Sequence, residues 1–379
     1  MTEAVLVSAL RTPIGTAGRG TLRDTTAFDL ADHVVRAAAE GLDPDQVDDV
    51  ILAEGLYGGG VIARHAAITA GLTTVPGLAL NRHCAAGLGA VAAAAGSIRA
   101  GMDELVIAGG VNSASTSPRS KIRAGQEWVD WMSPTHPDRP DAPNRDMSIT
   151  VGWNAALTAG VTREDMDAWA LRSHQYAIRA IDEGRFKEEI VPIETPHGMF
   201  EVDEHPRRDT SMEKLARLKV LHPEIEGFSI TAGNACGAND GAAALVVASD
   251  RLGLPALAYV RSWASVGIDP KYTGLAPVQA IPKALKRAGL TVGQVSLFEI
   301  NEAFAAQAVA NIRLLELDPE KVNVSGSGCS LGHPVAATGA RMLVTLVHEL
   351  RRRGGGIGVA AMCAGGGMGS AAVIEVPAP

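Results

Sequence analysis

Apolar positions along the chain fall into strand and helix periods, and the same order of elements comes twice. Residues 27–40 place apolar side chains at three- and four-residue intervals, which predicts a helix. Gly41 and the acidic turn DPDQVDD end it, and VILAEG reads as a strand. In the last third, residues 281–288, Gly289, the turn LTVGQ and the strand VSLFEI repeat that order. A second unit repeats as well. The strand LALN (78–81) leads through NRHC into a small-residue helix over 85–100 and then into the strand ELVIAGG. Later, VNVSG leads through GHP into a helix over 336–353 and then into GIGVAAM. Alternating strands and helices predict parallel sheets covered by helices, and the duplication places the two sheets about a pseudo-two-fold axis. If the halves share a middle helix layer, the α/β fold is a five-layered α/β/α/β/α sandwich.

Between the halves the pattern breaks. Residues 113–227 are polar, Pro-rich (SPTHPDRPDAP) and interrupted by short helices such as 163–183, which predicts an inserted lid or loop domain. The halves are then 1–112 plus 228–250, and 251–379. Four of the five tryptophans (Trp128, Trp131, Trp153, Trp169) lie in the insertion, and rings of that size are expected to pack on something. Residues 354–374 carry no charge and are long enough to span a bilayer, but they hold eight glycines. Two buried strands, 357–362 and 371–376, around a Gly turn account for them better.

Composition narrows the function classes. With 379 residues, 46% hydrophobic and 20% charged, the chain can bury a sizeable core. A net charge of -8 and a pI near 5.7 argue against a general nucleic-acid binder. The four cysteines (84, 236, 329, 363) form no CxxC pair and have no finger-like histidine spacing, so neither a disulfide scaffold nor a metal site is expected. The start, MTEAVLVSALRTP, has no basic leader before an apolar core, which makes the cytoplasm the expected location.

Chemistry is expected at the turns, because open α/β sheets gather functional groups at strand ends and adjoining helix starts. Cys84 follows a strand and opens a helix, where the helix dipole favours a thiolate nucleophile. His333, in SGSGCSLGHPVAATGAR, occupies the matching turn of the second half; related by the pseudo-dyad, the two residues meet as a Cys/His pair. Cys363 ends a strand and opens a glycine run that brings backbone N–H groups close to a ligand. Asn301 follows the strand LFEI; it suits a helix cap as well as a catalytic role, and Glu302 in the first turn suits the helix dipole.

The blocks NRHCAAG, NEAFAAQ, GHPVAATGAR and CAGGGMG, in this order and over nearly the whole length, resemble the thiolase family. The resemblance implies that Cys84 takes the acyl group as a thioester and that Cys363 is the acid/base at the α-carbon or the leaving thiol. It implies one oxyanion hole from His333 and a water held by Asn301, and another from the N–H groups of Cys84 and Gly365. Arg207, Cys236 and Phe304 fall at positions that imply contacts to coenzyme A, a co-substrate; no permanently bound cofactor is implied. The partners implied are acyl-CoA and a second copy of the chain, as homodimer or homotetramer, with neither membrane nor nucleic acid. The reaction implied is thiolytic cleavage of 3-oxoacyl-CoA to acetyl-CoA and a shortened acyl-CoA, or the reverse condensation.

The sequence departs from the family at GNACGAND, where Cys236 stands in place of serine, at SGSGCSLGHP, and at MSITVGW with its preceding insertion. The unusual insertion favours a degradative enzyme acting on a fatty or sterol-derived 3-oxoacyl-CoA. The alternatives are a biosynthetic acetoacetyl-CoA thiolase, a ketoacyl-synthase-like condensing enzyme, against which Cys363 speaks, and an inactive CoA-ester-binding relative, against which the intact set of catalytic positions speaks.

Overall fold

The computed structural model describes residues 2–55 and 61–378. The first half comprises β1 (Ala4–Arg11), α1 (Ala27–Ala39), β2 (Asp49–Glu54), α2 (Ile62–Thr69), β3 (Gly77–Leu80), α3 (Ala86–Ala100), β4 (Leu105–Ser113) and, after the insertion, β5 (Asn239–Ser249). The second half repeats the order. It comprises β6 (Ala258–Gly267), α4 (Ala276–Ala288), β7 (Leu297–Ile300), α5 (Ala305–Leu314), α6 (Thr338–Arg352), β8 (Gly356–Ala364) and β9 (Met368–Val376).

The strands run in the order β7-β8-β9-β6-β1-β5-β4-β2-β3. Only two residue pairs, Val5 with Tyr259 and Leu6 with Ala258, join β1 to β6, so this path is two sheets meeting at a seam. Both sheets are mixed, where parallel ones are predicted. β2 lies parallel to β3 and β4, and β7 parallel to β8, but β9 turns back on β8 after the tight glycine turn and pairs antiparallel. A connection that short cannot return a strand to the same direction. The strand expected at VNVSG is reduced to one bridge, Phe298 with Val322, because Asn323 takes up a positive φ of 52°.

Alternation along the strands feeds separate cores. In β5, Ala243, Leu245 and Val247 face the space between the sheets, whereas Ala242, Ala244, Val246 and Ala248 pack against α1 on the outside. The middle core takes in α3, α6 and residues of both sheets, and a third core joins α4 and α5 to the outer face of the second sheet. Three apolar layers separated by two sheets make the five-layered sandwich. The two central helices cross closely at small residues. A Cβ on Gly87 would lie 2.7 Å from the Ala340 nitrogen, and one on Gly339 2.4 Å from the Leu88 nitrogen. Gly339→Ala is therefore expected to lower stability by roughly 1–3 kcal/mol through overpacking. Gly96→Ala, where the nearest neighbour is a Trp263 ring carbon at 3.5 Å, is expected to be neutral or stabilising. Urea midpoints distinguish the two, and equal midpoints would contradict the close crossing.

The insertion carries the hairpin 120–131, a π-helical turn over Ser148–Trp153, and a 20-residue helix, Arg163–Asp182, started by a capping box at Thr162. Trp153 packs on Phe228 and Trp169 is buried, but Trp128 is 66% exposed and Trp131 38% exposed, so the expectation of packed rings holds for only one pair. Among the described residues no helix is long and apolar enough to cross a membrane, and all but the first two residues of the stretch 354–374 lie within the β8–β9 hairpin.

Candidate active site

Cys84 sits two residues before α3. His83, just ahead of it, has a φ of 47°, an unusual conformation for a residue with a side chain. The Asn81 side chain steadies this turn by accepting the His83 N–H at 2.7 Å. No side chain caps α3; its Ala86 N–H donates to the His83 carbonyl at 3.0 Å instead. Three residues into the turn of the helix, Gly87 meets Ala336, three residues beyond His333. The close helix crossing thus sets the start of α3 against the start of α6.

The β8–β9 turn closes the site from the third side. The Gly365 N–H and the Cys84 N–H both act on the Cys84 thiol, and the thiols of Cys363 and Cys236 are near enough to interact with it. A Cβ on Gly365 would come within 2.9 Å of the Thr135 methyl group from the insertion, so that segment packs closely over the turn.

The electrostatics differ from the expectation at the sequence level. Burial pushes the Cys84 thiol up, outweighing the backbone N–H groups that pull it down. Cys236 is pushed up to about 12 and Cys363 higher still, first by burial and then by the Cys84 sulfur. His333, 5% exposed, is pushed down to about 4 by burial and then by the Arg341 guanidinium. At rest Cys84 is therefore a neutral thiol and His333 a neutral imidazole, because helix polarity does not compensate for desolvation. The His333 backbone N–H donates to Asn239 Oδ1 at 2.9 Å, its Nδ1 is 2.6 Å from Thr338 Oγ1, and its Nε2 is buried without a partner.

Asn301 is fully buried with both amide atoms unpartnered, its Oδ1 lying against Gly328 and its N–H donating to the Ala361 carbonyl. It does not cap α5, whose first residue follows Phe304 at the cap position. Glu302 also departs from expectation. It turns away from the helix to accept hydrogen bonds from Trp169 Nε1 (2.9 Å), Ser173 (2.6 Å), Asn323 (2.8 Å) and the Cys329 N–H (3.1 Å), tying the insertion to the NEAF turn. Nothing in the sequence spacing pointed to these partners, nor to Thr338 and Asn239.

Arg207 is exposed at the rim of a pocket lined by His174, His205, Thr210 and Cys329. Ala235 and Gly237, on either side of Cys236, line the same pocket, and Phe304 bridges to Ala235 beneath it. The Arg207 N–H donates to His174 Nδ1 at 3.1 Å. His174 and His205 are each held down to about 4, chiefly by burial. Since folding lowers the pKa of these two and of His333 below the unfolded value, their contribution to stability is complete above about pH 6.5. It is lost as pH falls towards 4, by up to roughly 3 kcal/mol per group. Urea midpoints are expected to fall between pH 7 and 4.5, and less steeply in His174→Gln; a flat wild-type profile would contradict this.

Duplicated α/β halves share a helix layer, and thiols of both halves, Cys84 and Cys363, come together at the start of one shared helix, an arrangement open to acyl transfer. The sequence pattern of the thiolase N-terminal domain matches residues 4–251, and that of the thiolase C-terminal domain matches 254–376. The chain is 44% identical to an acetyl-CoA acetyltransferase of Pseudomonas aeruginosa, over 98% of each chain. It is 40% identical to a 3-ketoacyl-CoA thiolase of Bacillus subtilis, over 99% of this chain and 100% of that one. The crystal structure of human mitochondrial 3-ketoacyl-CoA thiolase superposes with a TM-score of 0.92 at 36% identity, covering 100% of this chain and 99% of that one. The chain belongs to the thiolase family.

Proposed function

We propose that this thiolase cleaves 3-oxoacyl-CoA with coenzyme A, and condenses acyl-CoA in reverse, through a thioester on Cys84. Cys363 moves the proton at the α-carbon or the departing thiol. The N–H groups of Cys84 and Gly365 hold the tetrahedral oxyanion, and His333 with an Asn301-held water holds the enolate oxygen. Removing a donor of this kind raises the barrier by about 3 kcal/mol. Arg207, Cys236 and Phe304 hold coenzyme A, which comes and goes as substrate; no resident cofactor or metal takes part. The observation that carries the reading is the Gly365 N–H on the Cys84 sulfur, which joins a thiol of the first half to the Cys363 turn of the second.

The same reading divides the chain into halves 1–112 plus 228–250 and 251–379 around an inserted lid, 113–227. It makes the protein a cytoplasmic homodimer or homotetramer; the exposed Ile122, Trp128, Val129 and Trp131 of the hairpin support the self-association. Relatives of both naming types match at 40–44% identity, so the acyl group is argued from the insertion: its idiosyncratic sequence over the site favours degradation of fatty or sterol-derived substrates. Thiolysis rates on acetoacetyl-CoA, medium-chain and ring-bearing 3-oxoacyl-CoA test this. Higher kcat/KM on the longer substrates is expected, and equal or better turnover of acetoacetyl-CoA would assign the biosynthetic alternative instead.

A further inference from the structure

One face of the insertion helix Arg163–Asp182 is turned towards the segment that holds Asn301. Trp169, Ser173 and Ala177 stand four residues apart on that face, one above the other. Trp169 Nε1 donates to Glu302 Oε1 at 2.9 Å, and Ser173 Oγ donates to Glu302 Oε2 at 2.6 Å. Ser173 Oγ also lies 2.8 Å from Ser330 Oγ and accepts the Ser327 N–H at 3.4 Å. Ala177 packs at Gly326, where a Cβ would come within 2.7 Å of the Ala177 methyl group. With the Asn323 amide and the Cys329 N–H, four donors converge on the fully buried Glu302 carboxylate and fill its acceptor sites. Asn301 has no such anchors on its side chain. Both its amide atoms are buried without a partner, so its backbone and packing set its aim. The Ala361 carbonyl holds its N–H at 3.0 Å, and Glu302 is the next residue. Gly328 closes over both, for a Cβ there would lie 2.8 Å from Asn301 Oδ1 and 2.5 Å from the Glu302 carbonyl oxygen. The Gly328 carbonyl in turn accepts the Gly332 N–H at 3.2 Å, one residue before His333. His333 itself is anchored elsewhere, on Asn239 and Thr338.

We infer that Trp169, Ser173 and Glu302 are positioning residues that lock Asn301 against the 327–332 turn, so that the insertion helix sets the aim of Asn301 relative to His333. This inference rests on the proposed thiolase reading, in which Asn301 and His333 serve the enolate oxygen, and deepens it. Taking a donor from the clamp leaves a buried carboxylate short of a partner, and the turn that carries it shifts to regain one. A displacement of about 1 Å at a group that serves the reacting atoms is enough to slow a step about a hundredfold. The loss falls on one step only. Loading of Cys84 draws on the N–H groups of Cys84 and Gly365, which belong to other turns, and His333 keeps its own anchors. Removal of an α-hydrogen, by contrast, creates the enolate for which Asn301 has to be in place.

The test uses full-length protein with Trp169→Phe, Ser173→Ala and the two combined, and Ser173→Thr as the conservative variant that keeps the hydroxyl. Tyr176→Phe is the control on the exposed side of the same helix, where the Tyr176 hydroxyl donates to Glu320. Two rates are read: loading of Cys84 by acetyl-CoA, from intact-protein mass, and exchange of the acetyl α-hydrogens into deuterated water. In the combined variant exchange is expected to slow about ten- to hundredfold with KM for acetyl-CoA little changed, while loading stays within about threefold of the wild type. Ser173→Thr is expected to recover the exchange that Ser173→Ala loses, and Tyr176→Phe to leave both rates as they are. Wild-type exchange in the combined variant would overturn the inference, as would an equal fall in both rates, which marks a fold merely loosened. Should the combined variant fail to fold, the single variants are judged by the same ratio of rates. Asn301→Ala separates the clamp from the reading beneath it, and its exchange is expected to fall about a hundredfold or more. Wild-type exchange in Asn301→Ala would remove Asn301 from the reaction and the inference with it. Loss of exchange in Asn301→Ala with none in the clamp variants would overturn the clamp alone.

Discussion

Cys84→Ser is expected to accumulate no acyl-enzyme and to lose thiolysis by roughly four orders of magnitude or more, the scale on which removal of a covalent nucleophile acts. The neutral resting pair explains why the loss is so complete. His333 is pushed down to about 4 and is a weak base. It can take a proton from a thiol whose sulfur is steadied by the Gly365 and Cys84 N–H groups, but an alcohol in the same buried turn ionises far less readily. Intact-protein mass after incubation with acetyl-CoA reads the result, with peptide mapping to locate any adduct. The informative failure is an adduct that persists in the variant. Cys236 lies next to the site and would be the first suspect, although burial and the Cys84 sulfur push it up to about 12. Removing Cys84 also removes the second of those influences, so the double variant Cys84→Ser, Cys236→Ser separates an adventitious adduct from a misassigned nucleophile.

The features legible in the sequence were those set by local pattern or by duplication. The period of 27–40, the glycines at 41 and 289, and the repeated order around NRHC and GHP all describe elements that form in place, and the pseudo-dyad followed from the repetition. What could not be read depended on distant partners. The direction of β9 relative to its neighbours comes from the tight turn at 365–367, and the loss of the VNVSG strand comes from an asparagine committed to side-chain contacts with Ile300 and Glu302. Glu302 looked like a dipole partner because its contacts lie on a helix some 130 residues away. The pKa direction of Cys84 departs from the helix-dipole expectation for the same reason. Helix polarity is visible in sequence order, whereas burial by the second half and the insertion is not.

In Cys363→Ala, acetyl-CoA is expected still to load Cys84, while cleavage and formation of the carbon–carbon bond cease and exchange of the acetyl α-hydrogens into deuterated water stops. Cys363 is 1% exposed, and its thiol lies high enough to keep its proton at rest. A buried thiol of this kind suits delivery of a proton to an enolate carbon, because the thiolate it leaves behind is restored as soon as the next proton is taken up. Deleting the one sulfur atom removes little volume from a core that includes Val359, Ala361 and Ala371, so the fold is expected to lose only about 1 kcal/mol. Exchange is the decisive readout, since it reports proton transfer at carbon without requiring net turnover. If exchange continued near the wild-type rate, the base would have to be another group at the same mouth. His83 is then the candidate, its ring carbon Cδ2 standing 3.8 Å from where a Cβ on Gly365 would be. Burial lowers its pKa, leaving it neutral and able to accept a proton, so the exchange rate in Cys363→Ala with His83→Gln would then separate the two.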